Sequence, residues 1–96
     1  MIRHIVFFSA KHEVEAQVVR EGLLALGEIP HSELFEVALN SKVDPLCDRI
    51  DVVVYAEFKD EAALAAFKAH PTYAATTAKV RPLRELRFSA DIASGA

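Results

Sequence analysis

The stretch DVVVYAEFKDEAALAAFKAHPTY, Asp51–Tyr73, decides the fold. Along Asp51–Phe58 one face reads Val52, Val54, Ala56, Phe58, all apolar. The other reads Asp51, Val53, Tyr55, Glu57, a mixed set. Alternation of β-branched and aromatic residues marks a strand whose two faces have different neighbours. Asp60 supplies an N-cap for a helix over Glu61–Ala69, with Leu64 and Phe67 on its buried edge. Pro71 disfavours helical geometry at His70, so the helix breaks there. The same proline suits the first position of a second short helix that ends before Pro82.

The N-terminal half reads as a first strand-helix-strand unit packed against this stretch. Ile2–Ser9 (IRHIVFFS) is a strand with His4, Val6 and Phe8 on one face and Arg3, Ile5 and Phe7 on the other. From Glu13 the period changes to that of a helix, with Ala16, Val19, Leu23 and Leu26 on one stripe. Glu13 and Glu15 suit its first turn, Gly27 its C′ position, and Pro30 prevents continuation. Gly22 inside that helix costs about 0.5–1 kcal/mol relative to alanine, so packing must hold it. Leu34–Asn40 is a second strand, and Ser41–Ile50 a loop around Asp44-Pro45. Leu83–Ala90 closes the chain as a strand, with Leu86, Phe88 and Ala90 expected toward the helices and Glu85 and Arg87 away from them.

The order β-α-β-β-α-β defines an α+β class: a ferredoxin-like, four-stranded antiparallel sheet with helices on one face. A single domain over residues 1–92 is expected, with a loose C-terminal tail at 93–96. Hydrophobic residues make up 52% of the chain and charged residues 26%, which is apolar for a small monomer. The helices cover one sheet face, and Ile5, Phe7, Val53 and Tyr55 are left on the other. A second copy of the chain is the expected cover, giving a homodimer.

A net charge of −3 excludes the basic footprint of a nucleic-acid binder. The single cysteine, Cys47, excludes an intrachain disulfide and fits a reduced compartment. The apolar run Ile5–Phe8 is too short for a signal core or a membrane span, so a cytoplasmic location is expected. The four histidines show no metal-ligand spacing, the three glycines form no phosphate loop, and Ser9, Ser32 and Cys47 lack a nucleophile's context. No metal or cofactor is therefore expected. Lys79, Arg81, Arg84 and Arg87 form a basic run that a solvated face with interface ion pairs accounts for.

Four features occur together and in order: the strand IRHIVFF, Ile29-Pro30 after the first helix, Phe58-Lys59-Asp60-Glu61, and Phe67-Lys68-Ala69-His70-Pro71. The chain resembles the stress-responsive A/B barrel (Dabb) proteins over about residues 1–90. The resemblance implies a dimeric α+β barrel of ferredoxin-like chains, with any ligand cavity between sheet and helices. One plant member is the polyketide cyclase that makes olivetolic acid, and its first-strand cavity histidine matches His4. Its catalytic histidine and tyrosine correspond to Tyr73 and Phe67, so the cyclase's catalytic pair is absent here.

His4, Val6, Val54, Phe67 and Phe88 are the expected lining of a ligand cavity. His70 and Tyr73, one turn apart across a helix break, are the candidate proton-transfer pair. Each has a structural alternative: a buried, satisfied His4, a helix-capping His70, a Tyr73 packed with its hydroxyl at the surface. The leading expectation is a homodimer that binds a small apolar or aromatic metabolite. The alternatives are a cofactor-independent cyclase, isomerase or lyase using His70 and Tyr73, and a non-catalytic stress-protection protein.

Overall fold

The computed structural model describes residues 1–94. Four strands, β1 (Ile2–Ala10), β2 (Ser32–Leu39), β3 (Val52–Phe58) and β4 (Arg84–Ala93), form one antiparallel sheet in the order β2-β3-β1-β4. Three helices, α1 (Ala16–Leu23), α2 (Glu61–Ala69) and α3 (Pro71–Val80), connect them on one side. This is the ferredoxin-like arrangement that the element order implied. Among the described residues no helix is long and apolar enough to cross a membrane.

The core follows from the alternation in β1 and β3. Register pairs His4 with Ala56, Val6 with Val54 and Phe8 with Val52, so all six side chains lie on the helix-facing side. All six are buried, as is Phe58 at the strand's end. Val19, Leu23 and Leu26 close the core from above, joined by Leu64 and Phe67 from α2 and Val80 from α3.

The α1 region differs from its sequence reading at both ends. The helix begins at Ala16, with Glu15 as its N-cap, and Glu13 lies outside it with φ of 71°. After Leu23 the chain tightens into a 3₁₀ turn over Leu24–Glu28, which contains Gly27. A Cβ at Gly27 would stand 3.0 Å from the Phe35 ring, so the glycine serves close packing here and caps nothing. At Gly22 a Cβ would meet Val80 at 3.2 Å. The propensity cost of Gly22 is thus offset by a close approach of α1 to α3.

At α2 the reading from sequence and the structure agree. The Asp60 carboxylate accepts from the Ala63 N–H at 2.9 Å, a side-chain N-cap. His70 caps α3, its Nδ1 accepting from the Thr72 N–H at 3.1 Å, with Pro71 at the first helical position.

β4 corrects the expectation most. Its partner β1 sets Phe88 opposite Phe7, Ala90 opposite Ile5 and Ile92 opposite Arg3, all on the face away from the helices. Arg87 stands opposite Phe8, Ser89 opposite Val6 and Asp91 opposite His4, on the helix side. The two faces of β4 are therefore the reverse of those expected from its apolar residues. The helices pack over β1, β2 and β3, so the helix-side flank of edge strand β4 is open to water and accepts polar residues. The strand also extends beyond its expected end. Ala93 pairs with Ile2 and the Ser94 N–H donates to the Met1 carbonyl at 2.8 Å, so 93 and 94 are not loose. The last two residues of the expected tail, 95–96, lie outside the described residues.

Removing the α2 cap with Asp60→Ala should cost about 1 kcal/mol of unfolding free energy in urea, while Asp60→Asn should cost much less. Equal stability of all three proteins would show that the cap is unimportant.

Candidate functional site

Between the sheet and the helices lies a cavity of about 280 Å³. Val6 and Val54 form its floor, Leu23 and Val80 part of its roof, and Phe67 a wall. The Phe67 ring contacts Phe58 and Tyr73 edge-on, at centroid separations of 5.0 and 5.6 Å, which holds the wall in place. Break of the helix at His70-Pro71 turns the chain so that Tyr73, in the first turn of α3, lines the same cavity.

His4 is the buried polar residue at the cavity floor, 3% exposed. Its Nδ1 is 2.5 Å from Asp91 Oδ1, a cross-strand contact that the β1–β4 register dictates. Asp91 also approaches Lys68 Nζ at 3.9 Å. Burial pushes the His4 imidazole below its ordinary pKa. Asp91 opposes this through its hydrogen bond and charge, while the positive charges of Lys68 and Arg87 reinforce it. A neutral imidazole beside a carboxylate donates its Nδ1–H and leaves the Nε2 lone pair free. Among the described residues no side-chain nitrogen or oxygen is buried without a partner, so Nε2 is open to the cavity that His4 lines. Asp91 thus fixes the His4 ring through Nδ1 and leaves its Nε2 lone pair unpaired.

The structure separates the other expected site residues. Val6, Val54, Phe67 and Tyr73 reach the cavity alongside His4. Phe88 does not; it is 58% exposed on the opposite sheet face, because its register partner is Phe7. His70 does not line the cavity either, and its Nδ1 is occupied in capping α3. The expected His70–Tyr73 proton-transfer pair is therefore not assembled, and the histidine near Tyr73 in the cavity is His4.

Sequence reasoning missed Asp91 and the basic residues of the cavity. Arg81 at the C-cap of α3, and Arg84 and Arg87 on β4, are among the residues that line it. A signal exists in the polar alternation Arg87-Ser89-Asp91, but the expected strand ends at Ala90, short of Asp91, and places Arg87 on the outer face. Among the described residues no group of three or more His, Cys, Asp or Glu side chains is placed to hold a metal ion.

The sign of the His4 effect on stability can be worked out. The unfolded imidazole titrates near 6.5 and the folded one lower, so below pH 6.5 the unfolded state binds more protons. Stability contributed by neutral His4 is complete above that value and is lost as pH falls through the folded pKa. Urea titrations at pH ~7.5 and ~5.5 should show wild type losing more stability than His4→Gln. Parallel losses would contradict the assignment.

Residues 2–94 match the family model of the stress responsive A/B barrel domain. No curated protein matches the sequence. Among solved structures, a Dabb family protein from Mesorhizobium loti with a ferredoxin-like fold is 25% identical, with a TM-score of 0.81 over 99% of this chain and 97% of that one. A dimeric ferredoxin-like protein from Thermobifida fusca is 23% identical, with a TM-score of 0.81 over 97% and 90% of the two chains. Hydroxynitrile lyase from Passiflora edulis shares the fold at 16% identity, with a TM-score of 0.77 over 95% and 90%. The family model spans nearly the whole chain, the fold agrees with it, and the chain belongs to the stress-responsive A/B barrel domain family.

Proposed function

We propose that this protein is a homodimer that binds a small apolar or aromatic metabolite in the cavity between sheet and helices. The observation that carries the reading is the cavity itself: a mainly apolar cleft bordered by Val6, Leu23, Val54 and Phe67, with His4 and Tyr73 among its polar residues. Its volume of about 280 Å³ lies at the small end of ligand pockets, which run from about 300 to 1,000 Å³. The occupant is therefore on the scale of one ring or a short chain.

The dimer is supported by the open face of the sheet. Phe7 and Phe88 stand opposite each other there, 37% and 58% exposed, with Ile92 at 47%. Val53 and Tyr55 continue the patch on β3, where the Tyr55 hydroxyl donates to Glu57 at 2.6 Å. The reversal of β4 makes this face more apolar than its sequence reading, since Phe88 joins it and Arg87 leaves. Proteins of the same fold are dimeric, including the one from Thermobifida fusca.

A second reading, a cofactor-independent enzyme, is favoured by the Asp91–His4 pair. His4 Nε2 would take a proton from carbon beside a carbonyl group, and the Tyr73 hydroxyl would hydrogen-bond the oxyanion that develops. This moves the base from His70 to His4 and keeps Tyr73.

Three measurements test these readings. In an NMR titration, p-cresol should shift resonances of Val6, Phe67 and Tyr73, and Thr77→Phe, which fills the cavity from α3, should abolish the shifts. Shifts confined to the open sheet face, or none at all, would overturn the ligand reading. Sedimentation at micromolar concentration should give a dimer for wild type and a monomer for Phe88→Asp; a dimeric variant would place the interface elsewhere. For the enzymatic reading, acetophenone in D₂O should exchange its methyl protons faster with wild type, and His4→Gln should remove about 10²–10⁴ of any acceleration. No acceleration, or one indifferent to His4, would rule it out.

A further inference from the structure

We infer that the cavity's occupant is an acid, a small apolar or single-ring body with a carboxylate held by Arg81, Arg84 and Arg87. The inference rests on the cavity reading above and adds the charge of the ligand to it. The three arginines come from two elements, the C-terminus of α3 and strand β4, and border the same cavity, Arg81 from its exposed rim. Arg84 and Arg87 are half-buried, and Arg87 lies opposite buried Phe8 on the helix side of the sheet. Among the described residues, no carboxylate lies within 4.0 Å of any of the three. In a chain of net charge −3, this is a local concentration of uncompensated positive charge.

Simpler explanations cover only part of it. Cations at a helix C-terminus complement the helix dipole, which accounts for Lys79 and Arg81. It does not account for Arg84 and Arg87, which arrive from β4. A solvated basic face fits the open flank of β4, but it does not explain why Arg84 and Arg87 are half-buried and border the same cavity as Phe67 and Val54. Three like charges around one volume repel each other more strongly where water is displaced. An anion between them removes that repulsion and accepts charge-assisted, bidentate hydrogen bonds from planar guanidinium groups. Most of the remaining wall is apolar, with Val6, Phe8, Leu23, Leu26, Val54 and Phe67, so the rest of the ligand is mainly apolar. Neutral His4 contributes no charge to the anion site and stays available to the ligand's body.

The test pairs phenylacetate with its neutral isostere phenylacetamide, titrated by NMR into the full chain, with sodium sulfate as an anion that has no apolar body. Phenylacetate should bind at least roughly tenfold more tightly than phenylacetamide, the order expected for charge-assisted hydrogen bonds. The preference should shrink as NaCl is raised, and Arg84→Gln/Arg87→Gln should erase it while phenylacetamide still binds. Equal affinities for the acid and the amide would overturn the anion site and leave the cavity reading intact. Sulfate binding as tightly as phenylacetate would overturn the apolar body. If neither aromatic probe moves the cavity resonances, both readings fall together.

Discussion

The pairing of β4 with β1 is the constraint on which this structure depends. By setting Phe88 opposite Phe7 and Asp91 opposite His4, one register settles two surfaces at once. It sends the apolar side of the last strand to the open face of the sheet. It sends Arg87, Ser89 and Asp91 to the side the helices occupy. A slip of one residue would exchange the two sets, because side chains alternate with a period of two. The cavity's charge and its oriented histidine, and the apolar patch on the other face, are thus consequences of the same hydrogen-bond ladder.

Polar residues survive on the helix side of β4 because it is an edge strand. The helices pack over the other three strands, and Phe58, Phe67 and Leu23 are sealed beneath them, while the flank of β4 is reached by water. An interior His4 would be costly to desolvate alone, and Asp91 at this semi-exposed edge supplies its partner. Polar chemistry is placed where solvent can still compensate it, next to a core that excludes solvent. Such a border between dry and wet surface suits a small ligand with one polar end.

Much of the fold was legible in the residues. Period-two alternation in β1 and β3, the Asp60 cap and the His70-Pro71 break each carry a local physical cause. All of these appear in the structure at or within one residue of the expected place. The reading failed where local pattern is silent about neighbours. Leu86, Phe88 and Ala90 look like an inward face by hydrophobicity alone, yet Phe88 and Ala90 turn outward, where another apolar surface is available. His70 resembled a catalytic candidate, but a backbone N–H two residues on claims its Nδ1. Arg84 and Arg87 looked like solvated charge, since nothing in their spacing reveals that β4 runs beside a cavity.

By itself, then, the sequence determined the order and type of the elements, the apolar face of β3, the ends of α2 and α3, and His4 as an inward-facing histidine. These follow from interactions spanning a few residues: capping, proline geometry and alternation. Only the tertiary structure decided which face β4 presents, that Asp91 partners His4 across 87 positions of sequence, and that three arginines share one cavity. Those relations depend on strand register and on how far the helices extend over the sheet, and both are set by packing between segments distant in the chain.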